Sequence, residues 1–223
     1  MKKTGTIDRK QRVVLIDFDN TITTFDVLDD MLARFSKDAA WVDLEKRWKA
    51  GKIGSRQCLD GQVRGVRITE RRLDKYLSSV RIDPHFKKLV GLLDDANVRT
   101  IILSDNFDHI LTRILHHNGV CGITTYANRL TFRGDRLIPS FPFANPKCGS
   151  CANCKTSTVK KNKGKGTMIV YVGDGLSDTC AAGYADVVFA KDALLDHCVR
   201  NKIDCIPYRG LDEVYAYFKR SMR

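Results

Sequence analysis

Two carboxylates stand two residues apart in Asp17-Phe18-Asp19-Asn20-Thr21, directly after the apolar run Val13-Val14-Leu15-Ile16. A carboxylate at such a place can act as a nucleophile, and its neighbour can supply or remove a proton. Three further places carry matching chemistry. Ser104 closes the run Thr100–Leu103, Lys155 follows a cysteine-rich loop, and Gly173-Asp174-Gly175-Leu176-Ser177-Asp178 closes the run Met168–Val172. Alone, each has an ordinary explanation as a turn, a cap or a solvated charge. Together they divide a reaction among themselves. Asp17, Asp174 and Asp178 would repel one another unless a cation joined them, and an all-oxygen ligand set suits Mg²⁺. A serine hydroxyl and a lysine ammonium match a phosphate group. The natural reaction is phosphoryl transfer to Asp17, giving an aspartyl phosphate that water later hydrolyses. Asp19 would protonate the leaving alkoxide and then deprotonate the water. A phosphomonoester dianion repels an attacking carboxylate by about 4 kcal/mol for unit charges ~4 Å apart at intermediate dielectric. Lys155 and the cation are needed to offset that repulsion.

These residues can cooperate only if the chain brings them together. Short apolar runs alternate with helical patterns, which predicts an α/β fold, a doubly wound Rossmann-like parallel sheet with crossover helices. The predicted strands are Arg12–Asp17, Val98–Ser104, Met168–Gly173, Asp186–Ala190 and Ile203–Pro207. Parallel strands end at one edge of a sheet, and ligands bind there. Helices are predicted over Asp108–His117, from near Asp178, over Ala193–Arg200 with Asp192 as N-cap, and over Leu211–Arg220. Asp83 followed by Pro84 signals another helix start, running to Asn97. The segment Phe25–Asp83 contains helical patterns and no convincing strand, so a helical cap is expected over 25–83. The catalytic core would then comprise 1–24 and 84–223. A β-hairpin is expected within it near 124–143, turning at Arg133-Gly134-Asp135.

The chain has 223 residues, 43% hydrophobic, and a formal net charge of +12 from 38 Lys plus Arg against 26 Asp plus Glu. It can bury a normal core. No apolar run approaches the ~20 residues that span a bilayer. The start, Met1-Lys2-Lys3-Thr4-Gly5-Thr6, lacks the apolar stretch of a secretory signal, so a cytoplasmic protein with no membrane partner is expected. The basic balance favours anions. Its charges cluster at Lys2–Arg12, Lys160–Lys165 and Lys219–Arg223, with no interleaved aromatic stretch, which points away from nucleic acid and toward a small phosphorylated metabolite. A nucleic-acid end-phosphatase is the weaker reading, because a sizeable cap hinders a polymer; a non-catalytic binding protein is another, set against the presence of every catalytic residue type.

The ordered set Asp-x-Asp-x-Thr, Ser, Lys and Gly-Asp-Gly-x-x-x-Asp resembles the haloacid dehalogenase superfamily of phosphatases across residues 12 to about 208. The helical insertion resembles the cap of its phosphoserine-phosphatase-like branch. The resemblance implies that Asp17 is the nucleophile and a Mg²⁺ ligand, and that Asp19 is the general acid/base with its backbone carbonyl on the metal. It implies that Ser104 and Lys155 hold the phosphate, that Asp174 ligates Mg²⁺, and that Asp178 orients the metal waters or binds directly. Within the branch the chain is similar to the methionine-salvage phosphatases of 2-hydroxy-3-keto-5-methylthiopentenyl-1-phosphate. The shared features are Cys154-Lys155 after a cysteine-rich loop and the tail from Phe189 to Tyr208. It departs from them after Ser104, where Asp105-Asn106-Phe107 replaces glycines. That segment looks more like phosphoethanolamine/phosphocholine phosphatases, although the asparagine stands one place earlier. Asp105 therefore joins Asp26 as a candidate substrate residue. Asp26 occupies the position of the substrate-recognising glutamate of phosphoserine phosphatases; it could hold a cationic head group or cap the first cap helix.

Eight cysteines are many for a chain without an export signal, and reduced thiols are expected. Cys58, Cys121, Cys180, Cys198 and Cys205 lie in apolar patterns and read as core fillers. Cys148-Gly149-Ser150-Cys151-Ala152-Asn153-Cys154 has spacing that can wrap a metal, but a structural Zn²⁺ site normally takes four ligands and no fourth is evident. The alternative is a compact loop that positions Lys155. The five histidines are scattered and show no metal-ligand spacing with a carboxylate.

Overall fold

The structure, a computed structural model, describes residues 11–222. Met1–Thr6 and most of the Lys2–Arg12 basic segment lie outside them, as does Arg223. The first strand, β1 (Gln11–Ile16), occupies the middle of a seven-stranded sheet. Its neighbours are β2 (Arg99–Phe107) on one side and β5 (Thr167–Gly173) on the other, both parallel to it. Beyond β2 come β3 (Thr124–Arg133) and β4 (Arg136–Ser140); beyond β5 come β6 (Val187–Ala190) and β7 (Ile206–Pro207). Among the described strands of this sheet, only the β3–β4 pair is antiparallel. This is the expected hairpin, with Gly134 at φ 65 in its turn, a conformation that suits glycine.

A central parallel strand must be apolar on both faces. Val13 and Leu15 pack on one face with Ile101, Leu103, Ile169 and Tyr171. Val14 and Ile16 pack on the other with Ile102, Val170 and Val172, in the larger core. Helix α5 (Pro84–Asp95) starts as the sequence predicts, with Asp83 accepting from the His85 N–H at 2.7 Å. Helix α6 (Asp108–His117) buries Ile110, Leu111, Ile114 and Leu115. The predicted cap at Asp192 is not formed: Asp192 is the first residue of α9 (Asp192–Asn201), at φ 47, and its carboxylate accepts from Asn20 at 3.0 Å. The helix expected near Asp178 is a single 3₁₀ turn, Leu176–Asp178, followed by the short α8 (Thr179–Ala182). The last helix, α10, spans Leu211–Ser221.

Residues 25–83 hold four helices: α1 (Val27–Phe35), α2 (Ala40–Lys49), α3 (Ser55–Arg64) and α4 (Glu70–Leu77). Helix α3 carries only Cys58, Leu59 and Val63 as buried apolar residues, beside a buried Gln62, which weakens its periodic signal. Several contacts fasten the four helices to the rest. The Ile68 N–H donates to the Asp135 carbonyl at the hairpin turn (2.9 Å). Asp74 of α4 lies 2.8 Å from His109 Nε2 and 3.2 Å from Arg113, both on α6. His109 thus does meet carboxylates, Asp74 and Glu70, which the sequence spacing does not show. No helix among the described residues is long and apolar enough to cross a membrane.

Candidate active site

The register of β1 decides what meets at the sheet edge. Ile16 is paired with Ile102 on β2 and with Val172 on β5. Asp17, one residue past Ile16, and Ser104 and Asp174, two residues past Ile102 and Val172, therefore emerge close together. The Asp17 N–H extends the ladder by donating to the Val172 carbonyl (2.9 Å), which holds the start of the Asp17–Thr21 turn against β5.

Lys155 reaches this edge by a route the sequence does not reveal. It is not a loop lysine beyond a strand; it opens helix α7 (Lys155–Asn162), and its side chain is buried. Its Nζ donates to Asp17 Oδ1 at 2.7 Å, to Asp178 Oδ1 at 2.6 Å and to Ser177 Oγ at 3.1 Å. Burial opposes its charge, but Asp17 and Asp178 outweigh that penalty and hold its pKa well above the ordinary lysine value. Asp178, fully buried, is saturated: Oδ1 also accepts from the Tyr171 hydroxyl (2.6 Å), and Oδ2 accepts from the Asp174 and Gly175 N–H groups (3.1 and 3.0 Å). It braces both Lys155 and the turn that carries Asp174. Gly173 makes room for it, because a Cβ there would lie 2.5 Å from Asp178 Oδ2.

Asp174 is aimed by two residues of the first turn. Thr21 Oγ1 donates to its Oδ1 at 3.0 Å, and Asn20 Nδ2 to its Oδ2 at 2.9 Å. Asn20 reaches it from φ 51, a left-handed conformation that asparagine tolerates better than most residues. Tyr208 supports the turn from below, its hydroxyl 3.3 Å from Thr21 Oγ1 and from the Gly173 carbonyl.

Oxygens of Asp17, Asp174 and Asp178 lie within 4.8 Å of one another. Three carboxylates face one ammonium, and the acidities of Asp17 and Asp174 reflect it. Burial raises the pKa of Asp17 well above the carboxylate range, Asp178 adds to it, and Lys155 only partly offsets it. Asp174 is raised by burial and by Asp178. An all-oxygen set with unbalanced negative charge fits a divalent cation such as Mg²⁺.

Asp19 is held differently from Asp17. Its carboxylate accepts from Asn106 Nδ2 on both oxygens (2.9 and 3.2 Å) and from the Val27 N–H at the start of α1 (2.9 Å). Burial pushes its pKa up to about 6, with the Asn106 and Val27 bonds pulling the other way. A carboxyl poised there can both give and take a proton near neutral pH. Ser104 is buried inside β2, which runs three residues beyond the predicted strand end, and its Oγ accepts from the Asn106 N–H at 3.0 Å. Asp105 points to the cysteine-rich loop, accepting from the Asn153 N–H at 3.2 Å; burial raises its pKa, and Lys155 opposes the shift. Asp26 caps α1, accepting from the Asp29 N–H at 2.8 Å, and still borders the cavity.

That cavity, about 670 Å³ and open to solvent, lies between the sheet edge and the helices of 25–83. Asp17, Asp19, Ser104 and Asp174 form its floor. Its opposite wall holds Asp29, Glu45 and Trp48, and among the described residues none that lines it is Lys or Arg. Glu45 is itself engaged by Gln62 (3.0 Å) and Lys49 (3.1 Å).

The cysteines sort unevenly. Cys58 and Cys198 are buried as expected and Cys205 partly so, but Cys121 and Cys180 are exposed, so these two are not core fillers. Cys148, Cys151 and Cys154 do not gather as a metal-sized triplet among the described residues, which gives no support to Zn²⁺ there. Cys148 and Cys151 approach to 3.2 Å, while Cys154 is buried and accepts from Ser157.

A sequence model of the haloacid dehalogenase-like hydrolase family matches residues 14–183. The 2-hydroxy-3-keto-5-methylthiopentenyl-1-phosphate phosphatase of Exiguobacterium sibiricum is 28% identical over 212 residues, 92% of this chain and 95% of that protein. The bifunctional enzyme MtnB/MtnX of Bacillus licheniformis is 27% identical over 197 residues, and the match spans 45% of its length. Among solved structures, a phospho-aspartyl intermediate analogue of phosphoserine phosphatase superposes with a TM-score of 0.71 at 22% identity, covering 93% of this chain and 99% of that one. This likeness establishes the shared fold.

Proposed function

The chain belongs to the haloacid dehalogenase-like hydrolase family, and we propose that it is a phosphomonoesterase acting on a small phosphorylated metabolite through an aspartyl phosphate. The observation that carries the proposal is the setting of Asp17. It stands at a strand end on a cavity floor, 2.7 Å from a buried lysine and beside two more aspartates.

In this reading Asp17 attacks phosphorus, and the bond to the leaving oxygen breaks. Asp19, protonated at first, gives its proton to that oxygen; as carboxylate it then takes one from the water that cleaves the aspartyl phosphate. Asn106 and the Val27 N–H keep Asp19 facing the cavity through both steps. Lys155 and Ser104 bind phosphate oxygens, and Asp178 holds Lys155 in place. Asp17, Asp174 and the backbone carbonyl of Asp19 would hold Mg²⁺, with Asp178 behind them. When bound, the metal supplies positive charge against the phosphate oxygens. Residues 25–83 serve as a cap that closes over the substrate and excludes bulk water.

The relatives' names favour a methionine-salvage-type or phosphoserine-type substrate. A second reading, a phosphoethanolamine- or phosphocholine-type substrate, is favoured by one observation: the cavity wall opposite the phosphate site presents Asp26, Asp29, Glu45 and Trp48, of which only Glu45 is paired with a lysine, Lys49. A quaternary or primary ammonium is attracted by carboxylates and by an indole face. Phosphate release from a panel of these metabolites, with Mg²⁺ and with chelator, tests both. Release that requires Mg²⁺ supports the phosphatase assignment, and the preferred substrate decides between the two readings. No release from any member, with or without metal, contradicts it.

A further inference from the structure

We propose that Cys148 and Cys151 form a reversible disulfide under hydroperoxide oxidation, and that this bridge acts as a switch on the site next to it. The two sulphurs are 3.2 Å apart in the reduced protein, with Cys148 exposed and Cys151 half-buried. Only a modest side-chain rotation separates them from bonding distance, about 2.05 Å.

The pair is chemically asymmetric, as a nucleophile and its partner should be. Hydrogen bonding from Ser150 and Cys151 pushes the Cys148 thiol down to about 7, so much of it is thiolate near neutral pH. Burial, together with Cys148, pushes Cys151 up to about 12 and keeps it protonated. The Cys148 thiolate attacks the near oxygen of the hydroperoxide, the O–O bond breaks, and the far oxygen leaves as water or alcohol after taking a proton. Cys148 is then a sulfenic acid. The Cys151 sulphur displaces its hydroxyl group, which leaves as water with the Cys151 proton, and the S–S bond forms. Two thiols lose two electrons in all, and the hydroperoxide gains them. A dithiol reductant reverses the change.

The loop between and after the two cysteines is fastened to both halves of the cavity. The Ser150 carbonyl accepts from the Arg56 N–H (3.1 Å), and the Ala152 N–H donates to Ser55 Oγ (2.9 Å), which dock it on the start of α3. The contact is tight: a Cβ on Gly54 would lie 2.5 Å from the Ser150 carbonyl oxygen. Asn153 then ties the loop to the floor: its N–H donates to Asp105 Oδ1 (3.2 Å) and its Nδ2 to the Ser104 carbonyl (2.9 Å). Two residues later comes Lys155. Cys151 and Lys155 also line one shared cleft of about 990 Å³. The bridge fixes the turn at Gly149 and Ser150, and in the proposed switch that constraint reaches α3 through the Ser150 and Ala152 bonds and Lys155 through Asn153.

The test uses the full chain, treated with hydrogen peroxide, alkylated with N-ethylmaleimide and digested with trypsin. The peptide Cys148–Lys155 should escape two alkylations and lose about 2 Da, the two hydrogens removed, and dithiothreitol should restore it. The loss should persist in Cys154→Ser and vanish in Cys148→Ser and Cys151→Ser. A peptide that stays fully alkylated, or that gains oxygen without bridging, overturns the proposal. The effect on turnover rests on the phosphatase reading: peroxide should lower phosphate release several-fold, dithiothreitol should restore it, and Cys148→Ser should be insensitive. A bridge that forms with turnover unchanged overturns the switch. If the reduced protein releases no phosphate, the functional reading fails, while the mass shift still decides the bridge.

Discussion

Asn106 Nδ2 lies 2.9 and 3.2 Å from the two carboxylate oxygens of Asp19, across 87 residues of sequence. One amide thus grips both oxygens of the group assigned to proton transfer. It also lowers that group's pKa, because a hydrogen bond to the carboxylate favours the charged form.

Asn106→Ala should therefore slow turnover and move the pH profile. Asp19 must be protonated to serve the leaving oxygen, so kcat/KM falls as pH rises through its pKa. Without Asn106 that pKa rises further, and the alkaline limb should shift to higher pH while kcat falls roughly 10²-fold, in the range for impaired proton transfer. A pH–rate profile of the variant checks both; an unmoved limb would mean Asn106 does not act on Asp19.

Lys155→Met should cost stability as well as activity. It keeps the length of the side chain but leaves Asp17 and Asp178 buried without their cation, a loss of about 3–5 kcal/mol for a broken buried pair. The sign with pH is fixed. Burial already raises the folded-state pKa of Asp17, and the variant removes the lysine that lowers it, so Asp17 binds more protons folded than unfolded. The deficit should be largest at neutral pH and shrink as pH falls toward the ordinary carboxylate range. Urea denaturation at several pH values measures it.

Gly173→Ala probes the brace behind the site. The added methyl would press on Asp178 Oδ2 at 2.5 Å, so Asp178 must give up its grip on the Asp174 turn or on Lys155. Overpacking of this kind costs about 1–3 kcal/mol. Phosphate release should fall more than the melting temperature alone accounts for, as seen by comparing kcat with thermal unfolding of the same preparation.

Asp29→Asn and Glu45→Gln separate the two substrate readings. If the acidic wall receives an ammonium group, both variants should raise KM for phosphoethanolamine or phosphocholine and leave kcat little changed. For a substrate without a positive charge, the same variants should leave KM unchanged or lower it. Steady-state kinetics with one substrate of each kind decides.

The sequence made some of this arrangement legible and hid the rest. Asp17, Ser104 and Asp174 could be placed together because each follows an apolar run, and parallel runs end at one edge. The pairings of Ile16 with Ile102 and Val172 bear this out. Lys155 could be picked only by its order in the chain, since nothing local shows that a residue opening α7 turns its ammonium into the core. Asn106 stands two residues past Ser104, but its partner Asp19 lies in the turn after β1. Tyr171 hid inside the β5 pattern as one more core residue, although its hydroxyl serves Asp178. Tyr208 reaches Thr21 across 187 residues. Such contacts are set by tertiary packing, which periodicity does not encode. The exposure of Cys121 and Cys180 and the meeting of His109 with Asp74 escaped for the same reason.

The central claim is that Asp17 carries the phosphoryl group. Protein should be mixed with a radiolabelled phosphomonoester from the preferred class and Mg²⁺, quenched in acid within a single turnover, and digested. Label should appear on the peptide that contains Asp17, be released by hydroxylamine as an acyl phosphate, and be absent from Asp17→Asn and from chelator-treated protein. Phosphate release without any protein-bound label, with turnover retained in Asp17→Asn, would contradict the account.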